Sequence, residues 1–393
     1  EILSLSVWLR YLMIFNQISL FPNNCYQGTY IEELAKDIER DYGEKFSITK
    51  EIEDLISEML QLDMEEEALD GLISQSKKAL NESFDEIKSF VLNRILKNIE
   101  GDLKDFGVKH NSWFKESTMF RADKDKTPLI KKALDSLEAK KQLYEKDGAL
   151  WFKSTDFGDE KDRVVRRENG ATTYFASDIA YHANKYDRGY SKIINIWGAD
   201  HHGYLPRVKA AMSALDEDTE KFEVVFIQFA NLIRNGKKLS MSTRAGEFIS
   251  LSELIEEVTS EAARFFYINR KGNQHLDFDL DLAKEQSKDN PLYYVQYAHA
   301  RICSVFDKLE EHKKSYKESI AMDSLDQLNS EQEIEIQKLL SQFPEVVIRS
   351  AANYEPHLIC YYLRQLAGTF HSYYNNEKIL VDEESTLQAR LFL

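Results

Sequence analysis

The stretch Lys192-Ile-Ile-Asn-Ile-Trp197, followed at once by Gly198-Ala-Asp-His-His-Gly203, decides how this chain is read. A short apolar run that stops at a glycine-bounded polar loop is the pattern of a buried parallel strand ending in a functional loop. A helical pattern follows over 205–215, then a second apolar run over 224–233, then a basic, glycine-containing loop over 234–246. Strand, loop, helix, strand is the order of doubly wound α/β architecture. In such sheets ligands sit at the carboxyl ends of the strands, where both loops fall. Just upstream, alternation and β-branched residues over 151–167 predict a hairpin or short sheet segment, and a helix is expected from Thr173 to about Tyr186.

Farther out the texture changes. Asn290-Pro291 reads as a helix cap followed by proline at the first helical position. Beyond it Val295, Ala298, Ile302, Val305 and Leu309 form one apolar stripe, and Ile359, Leu363, Leu366, Phe370 and Tyr373 form another. With 331–349 between them, these imply a helical bundle. At the other end Leu5, Leu9, Leu12 and Phe15 mark a helix within 1–21, and 22–150 is mostly helical and charged, with Asp63, Glu65, Glu66 and Glu67 read as a solvated face.

The 393 residues carry 51 Lys+Arg against 67 Asp+Glu, a net charge of −16, with 43% hydrophobic residues. That balance belongs to a folded, multi-domain protein and excludes global disorder or a collagen-like repeat. No apolar run reaches the roughly 18 residues that a membrane helix needs. The acidity argues against indiscriminate wrapping of nucleic acid, though a local basic face is compatible with it. Cys25, Cys303 and Cys360 form no CxxC pair, which points to a reducing, cytoplasmic compartment and away from a zinc site. The first residue is Glu1, inside an apolar helical pattern, so a piece of a longer protein is expected.

Three segments could carry chemistry. The loop Asn235-Gly-Lys-Lys-Leu-Ser-Met-Ser-Thr-Arg-Ala-Gly246 supplies cations, hydroxyls and glycines of the kind that grip phosphate, and it reads equally well as a solvated turn. Asp200, His201 and His202 could ligate a metal as in phosphoesterases, border a nucleotide ribose, or be structural histidines. The metal reading lacks partner aspartates, since Asp277, Asp279 and Asp281 look structural. Tyr174 and Asp178 are four apart on one helix face, where a phenol and a carboxylate match a guanidinium; the alternative is an ordinary acidic first turn.

Together and in this order, TTYFASDIAYH, INIWGADHHGY and KKLSMSTRAGEF resemble the arginyl-tRNA synthetases, class I aminoacyl-tRNA synthetases; DLDLAKEQSKDNPLYYVQYAHARI and LRQLAGTFHSYYN fit the same family's helical domain. The resemblance implies an incomplete Rossmann-like α/β nucleotide-binding catalytic region followed by an all-α helical-bundle anticodon-binding domain. The implied divisions are a catalytic remnant over 1–27, a mainly helical insertion over 28–150, the second catalytic half over 151–285 and the anticodon-binding domain over 286–393. The implied activity is arginine–tRNA ligation: arginine and Mg-ATP give arginyl-adenylate, which is transferred to the tRNA. No metal is expected to be held by the protein itself, and a monomer is expected.

By the same resemblance Tyr174, Asp178 and His202 would bind substrate. Gly198, Asp200, His201 and Met241 would border the nucleotide. Lys237, Lys238, Ser240, Ser242 and Arg244 would form the family's KMSKS-type loop. Tyr293, Tyr294, Tyr297, Tyr373 and Tyr374 are candidates for stacking on RNA bases, most of them expected in the core. Arg163, Arg166 and Arg167 would add to a basic face.

Two features depart from the family pattern. None of the nine histidines forms the class I His-x-Gly-His signature, and Ser240 and Thr243 stand where KMSKS has lysine. Residues 1–393 alone are therefore expected to be poorly active or inactive. A non-catalytic tRNA-binding relative is the alternative, and a metal phosphoesterase a distant third.

Overall fold

A computed structural model describes residues 1–61, 66–121, 127–241 and 248–393, the side chain of Glu66 excepted. The chain divides into two compact units, Glu1–Lys109 with Ile233–Arg264, and His110–Leu232 with Phe265–Leu393.

The first unit is built on helices Ile2–Ile14, Thr29–Tyr42, Lys50–Leu60, Glu66–Leu80 and Glu82–Asp105. The helix expected within 1–21 ends at Ile14 and is buried on nearly every side. Its Leu5, Trp8, Leu9 and Leu12 share one apolar core with Ile31, Ile38, Ile56, Leu72, Phe84 and Val91. Burial forces its polar atoms to find partners: the Trp8 indole donates to the Phe46 carbonyl at 3.0 Å and the Tyr11 phenol to that of Gly43 at 2.6 Å. Of the acidic run, Asp63 and Glu65 lie outside the described residues, and Glu67 is exposed.

The second unit opens with an antiparallel meander, β1 (Leu143–Lys146), β2 (Ala149–Phe152) and β3 (Arg163–Arg166). Asp147-Gly148 joins β1 to β2 with both residues at positive φ, 52° and 73°, the two-residue hairpin turn that Asp-Gly favours. The helix Tyr174–Asp187 follows, its first turn capped by the Thr173 hydroxyl. Next, β4 (Ile193–Gly198) pairs in parallel with β5 (Phe222–Ile227) over six residues, Ile193 opposite Phe222 and Gly198 opposite Ile227. The 3-10 turn Ala199–Tyr204 and the helix Leu205–Ala214 make the crossover, as the strand–loop–helix–strand order requires.

The apolar run over 224–233 is not one strand. It breaks at Gln228, whose N–H donates to the Gly272 carbonyl, and resumes as β6 (Ala230–Arg234). The expected loop that follows starts as a hairpin instead. Asn235 and Gly236, at φ 50° and 69°, turn the chain into β7 (Lys237–Lys238), with Arg234 opposite Lys237. The physical reason is legible afterwards: Asn-Gly is the strongest short hairpin signal, and it outweighs glycine content as evidence for an open loop. The last strand is β8 (Leu276–Asp279).

From Leu280 onward the second unit is helical. Asn290 caps Pro291–Glu311, its Oδ1 accepting from the N–H groups of Leu292 and Tyr293 at 3.0 and 3.2 Å. Glu331–Asn353 begins with a reciprocal Ser330/Glu333 capping box, and His357–Asn376 and Glu384–Phe392 complete the set. Val305, Ile336, Tyr373 and Ile379 form a core here. Glu333, fully buried, pairs with Arg390 at 2.8 Å and so fastens the final helix. Among the described residues no helix is long and apolar enough to cross a membrane.

Candidate active site

The helix Tyr174–Asp187 turns Phe175, Ala176, Ile179, Ala180 and His182 into a core shared with Phe152, Val165, Val208 and Met212. Asp178 lies at the margin of that face. Its carboxylate accepts a short hydrogen bond from the phenol of Tyr204, which comes from the 3-10 turn after β4. The Tyr204 ring stands edge-on to Phe175 and Trp197, with centroids 6.2 and 6.0 Å away, and the Arg207 guanidinium lies 5.3 Å from its centre. Burial raises the Asp178 carboxyl above its ordinary range, and the Tyr204 bond partly offsets this. Among the described residues no cation forms an ion pair with Asp178: Arg163 is held in a bidentate pair by buried Asp159, and Arg207 lies against the phenol ring.

The phenol in contact with Asp178 is therefore that of Tyr204; Tyr174, one helical turn earlier, is 82% exposed. A second set of contacts ties the same helix to β4. His182 Nδ1–H donates to the Asp178 carbonyl at 2.7 Å. That fixes the tautomer, so its Nε2 accepts from the Asn195 amide at 2.7 Å, and the Asn195 oxygen accepts from Lys185 at 2.6 Å. Burial, reinforced by the nearby Lys185 charge, brings His182 down to about 4, and burial brings Lys185 down to about 8.

At the carboxyl end of β4, a Cβ on Gly198 would come within 2.6 Å of an oxygen of Asp200, the tip of an exposed side chain that a small shift would clear. Asp200 and His201 are exposed and 3.7 Å apart, while the His202 ring stacks on Phe226 of β5 at 3.9 Å and 12°. Among the described residues no three His, Cys, Asp or Glu side chains gather as a metal site. The three residues thus do not make the ligand set that the phosphoesterase reading requires. Asp277 accepts from Asn231 at 2.8 Å and Asp279 caps the helix Leu280–Lys284, the structural roles expected of them.

On the hairpin, Lys237, Lys238, Ser240 and Met241 are exposed, and Arg234 pairs with Glu257. Ser242 and Arg244 lie outside the described residues. Arg166 and Arg167 are exposed, but Arg163 is committed to Asp159 and is no part of a basic face. In the helical part Tyr373 is core, 2% exposed, and accordingly unavailable for stacking. Tyr293 and Tyr297 are parallel at 6.0 Å, and Arg301 lies 4.6 Å over Tyr297 and 4.8 Å over Tyr374.

Known proteins share the sequence and the fold of this chain. Residues 28–284 match the family described as "tRNA synthetases class I (R), catalytic domain", and residues 295–393 match the "DALR anticodon binding domain". The chain belongs to the arginyl-tRNA synthetases. Two curated arginine–tRNA ligases of this family, from Nitrosomonas europaea and an Azoarcus species, are 48% and 49% identical over the whole chain, which spans 66% and 67% of their lengths. A crystal structure from Campylobacter jejuni, 31% identical, aligns with all of the chain and 77% of its own, with a TM-score of 0.78. The arginyl-tRNA synthetase of Thermus thermophilus, at 20% identity, shares the fold over 98% of this chain and 69% of its own, with a TM-score of 0.66.

Tyr204, Asn195 and His182 entered the sequence reading only inside matching motifs, with no role of their own, and Lys185 not at all. Tyr204 is 26 residues from Asp178, and no periodicity links the two.

Proposed function

We propose that this chain carries the arginine-recognising part of an arginine–tRNA ligase. The observation that carries the reading is a half-buried carboxylate, Asp178, held by a phenol and given no ion-pair partner by the described residues. Leaving a buried charge unpaired is costly, and a planar cation with a fork of N–H donors is the complement that relieves the cost. Among amino acids only arginine brings that group. Tyr174, exposed one turn away, is free to close over the guanidinium, and His202 borders the same strand end.

In the reaction, the carboxylate of arginine attacks the α-phosphorus of Mg-ATP and pyrophosphate leaves; a ribose hydroxyl at the 3′ end of the tRNA then attacks the arginyl carbonyl of the adenylate, and AMP leaves. Positioning and charge neutralisation suffice for this, with no protein nucleophile. Gly198, Asp200 and His201 serve the nucleotide at the end of β4, and Met241 is a further nucleotide contact. Lys237, Lys238 and Ser240, with Ser242 and Arg244, act on the phosphates. The 286–393 helices hold the tRNA through exposed aromatics such as Tyr297, and the enzyme works as a cytoplasmic monomer.

Asp178→Ala is expected to weaken arginine binding by about 2–5 kcal/mol, read by calorimetry. Arginine affinity within twofold of the unmodified protein would remove the assignment.

A further inference from the structure

We infer that Tyr204 is a positioning residue for arginine recognition: its phenol clamps one oxygen of Asp178 and leaves the other aimed at an incoming guanidinium. The inference rests on the reading of Asp178 given above.

Three observations support it. The Tyr204 phenol donates to Asp178 Oδ2, and it is the side-chain hydrogen-bond donor to this carboxylate among the described residues. A half-buried phenol needs an acceptor, and Phe175, Trp197 and Arg207 all lie against the ring, which restricts its freedom to turn toward another. The Asp178 backbone is fixed as well, since its carbonyl accepts from His182, itself tied through Asn195 to β4. A carboxylate fixed at its main chain and at one oxygen has little freedom left, so a bidentate partner meets a pre-set geometry rather than having to order it.

The clamp also governs charge. A donor hydrogen-bonded to a carboxylate favours the ionised form, and burial works against that form here. The other charged groups facing Asp178 are Glu116, which opposes ionisation, and Lys185 and His201, which favour it; Arg207 and Arg163 face Tyr204. None of these replaces a donor in contact. Without the hydroxyl, Asp178 takes up a proton at higher pH, and guanidinium binding fails earlier as pH falls.

The test is Tyr204→Phe, which keeps the ring in its packed bed and deletes only the hydroxyl. The Asp178 carboxyl is titrated by carbon-detected NMR in both proteins, with Asp178→Asn supplying the assignment, and arginine affinity is measured by calorimetry at pH 8 and pH 6. The expected result is a titration midpoint displaced upward in the variant. Arginine binding is about tenfold weaker at pH 8, and the deficit widens at pH 6. Superimposed titration curves with equal arginine affinities would overturn the role of Tyr204 while leaving Asp178 in place. Undiminished arginine affinity in Asp178→Asn would instead defeat the Asp178 assignment itself. The carboxyl titration reads the clamp even where no arginine binds, and circular dichroism checks that the variant is folded.

Discussion

His182 offers a direct test of how the helix bearing Asp178 is held. Its imidazole is buried and neutral, donating at Nδ1 and accepting at Nε2, and burial beside Lys185 brings it from 6.5 in the unfolded chain to about 4. Between those values the unfolded chain binds a proton that the folded protein refuses, so this group's contribution to stability falls as pH falls. Linkage across that gap gives a loss of about 2 kcal/mol by pH 5 and about 3 kcal/mol by pH 4. Carboxylates titrate in the same range, so the comparison is with His182→Gln, which cannot take the proton. At pH 7.5 the variant should be less stable by about 1 kcal/mol, the worth of a hydrogen bond. By pH 5 that gap should close or reverse, moving by about 2 kcal/mol. Urea unfolding followed by tryptophan fluorescence reads it, with Trp197 lying 6.2 Å from the imidazole. A stability gap unchanged between pH 7.5 and pH 5 would refute the account of His182 as a neutral link between helix and strand.

Two further outcomes follow from the packing. Burial opposes the Asp159 charge, yet the Arg163 fork and the Glu160 N–H outweigh it and lower its carboxyl, so Asp159→Asn, which strands a guanidinium, should cost about 3 kcal/mol of stability at neutral pH in a urea titration. In the helical part, Tyr297→Ala should weaken tRNA binding by about 1–3 kcal/mol and leave stability nearly unchanged. Tyr373→Ala should do the reverse, losing about 3 kcal/mol of stability. Filter-binding and thermal melts separate the two, and equal effects on affinity would contradict the division between exposed and core tyrosines.

Much of this protein was legible in one dimension because the forces involved are local or periodic. Asn290-Pro291 dictated a capped helix start, and the two apolar runs flanking a helix a parallel pair with a crossover between them. The ordered motifs from Thr172 to Gly246 were enough to indicate the family. Folding alone decided which groups meet. Helical spacing puts Tyr174 and Asp178 on one face, but whether a phenol touches a carboxylate depends on what packs against that face, and the turn after β4 delivers Tyr204 there while Tyr174 stays in solvent. Arg163 reads as a free surface cation until its partnership with Asp159 is seen. Spacing along a chain encodes periodicity and turn chemistry, whereas burial and the partners of a charge are set by segments distant in sequence, and those determine protonation and binding.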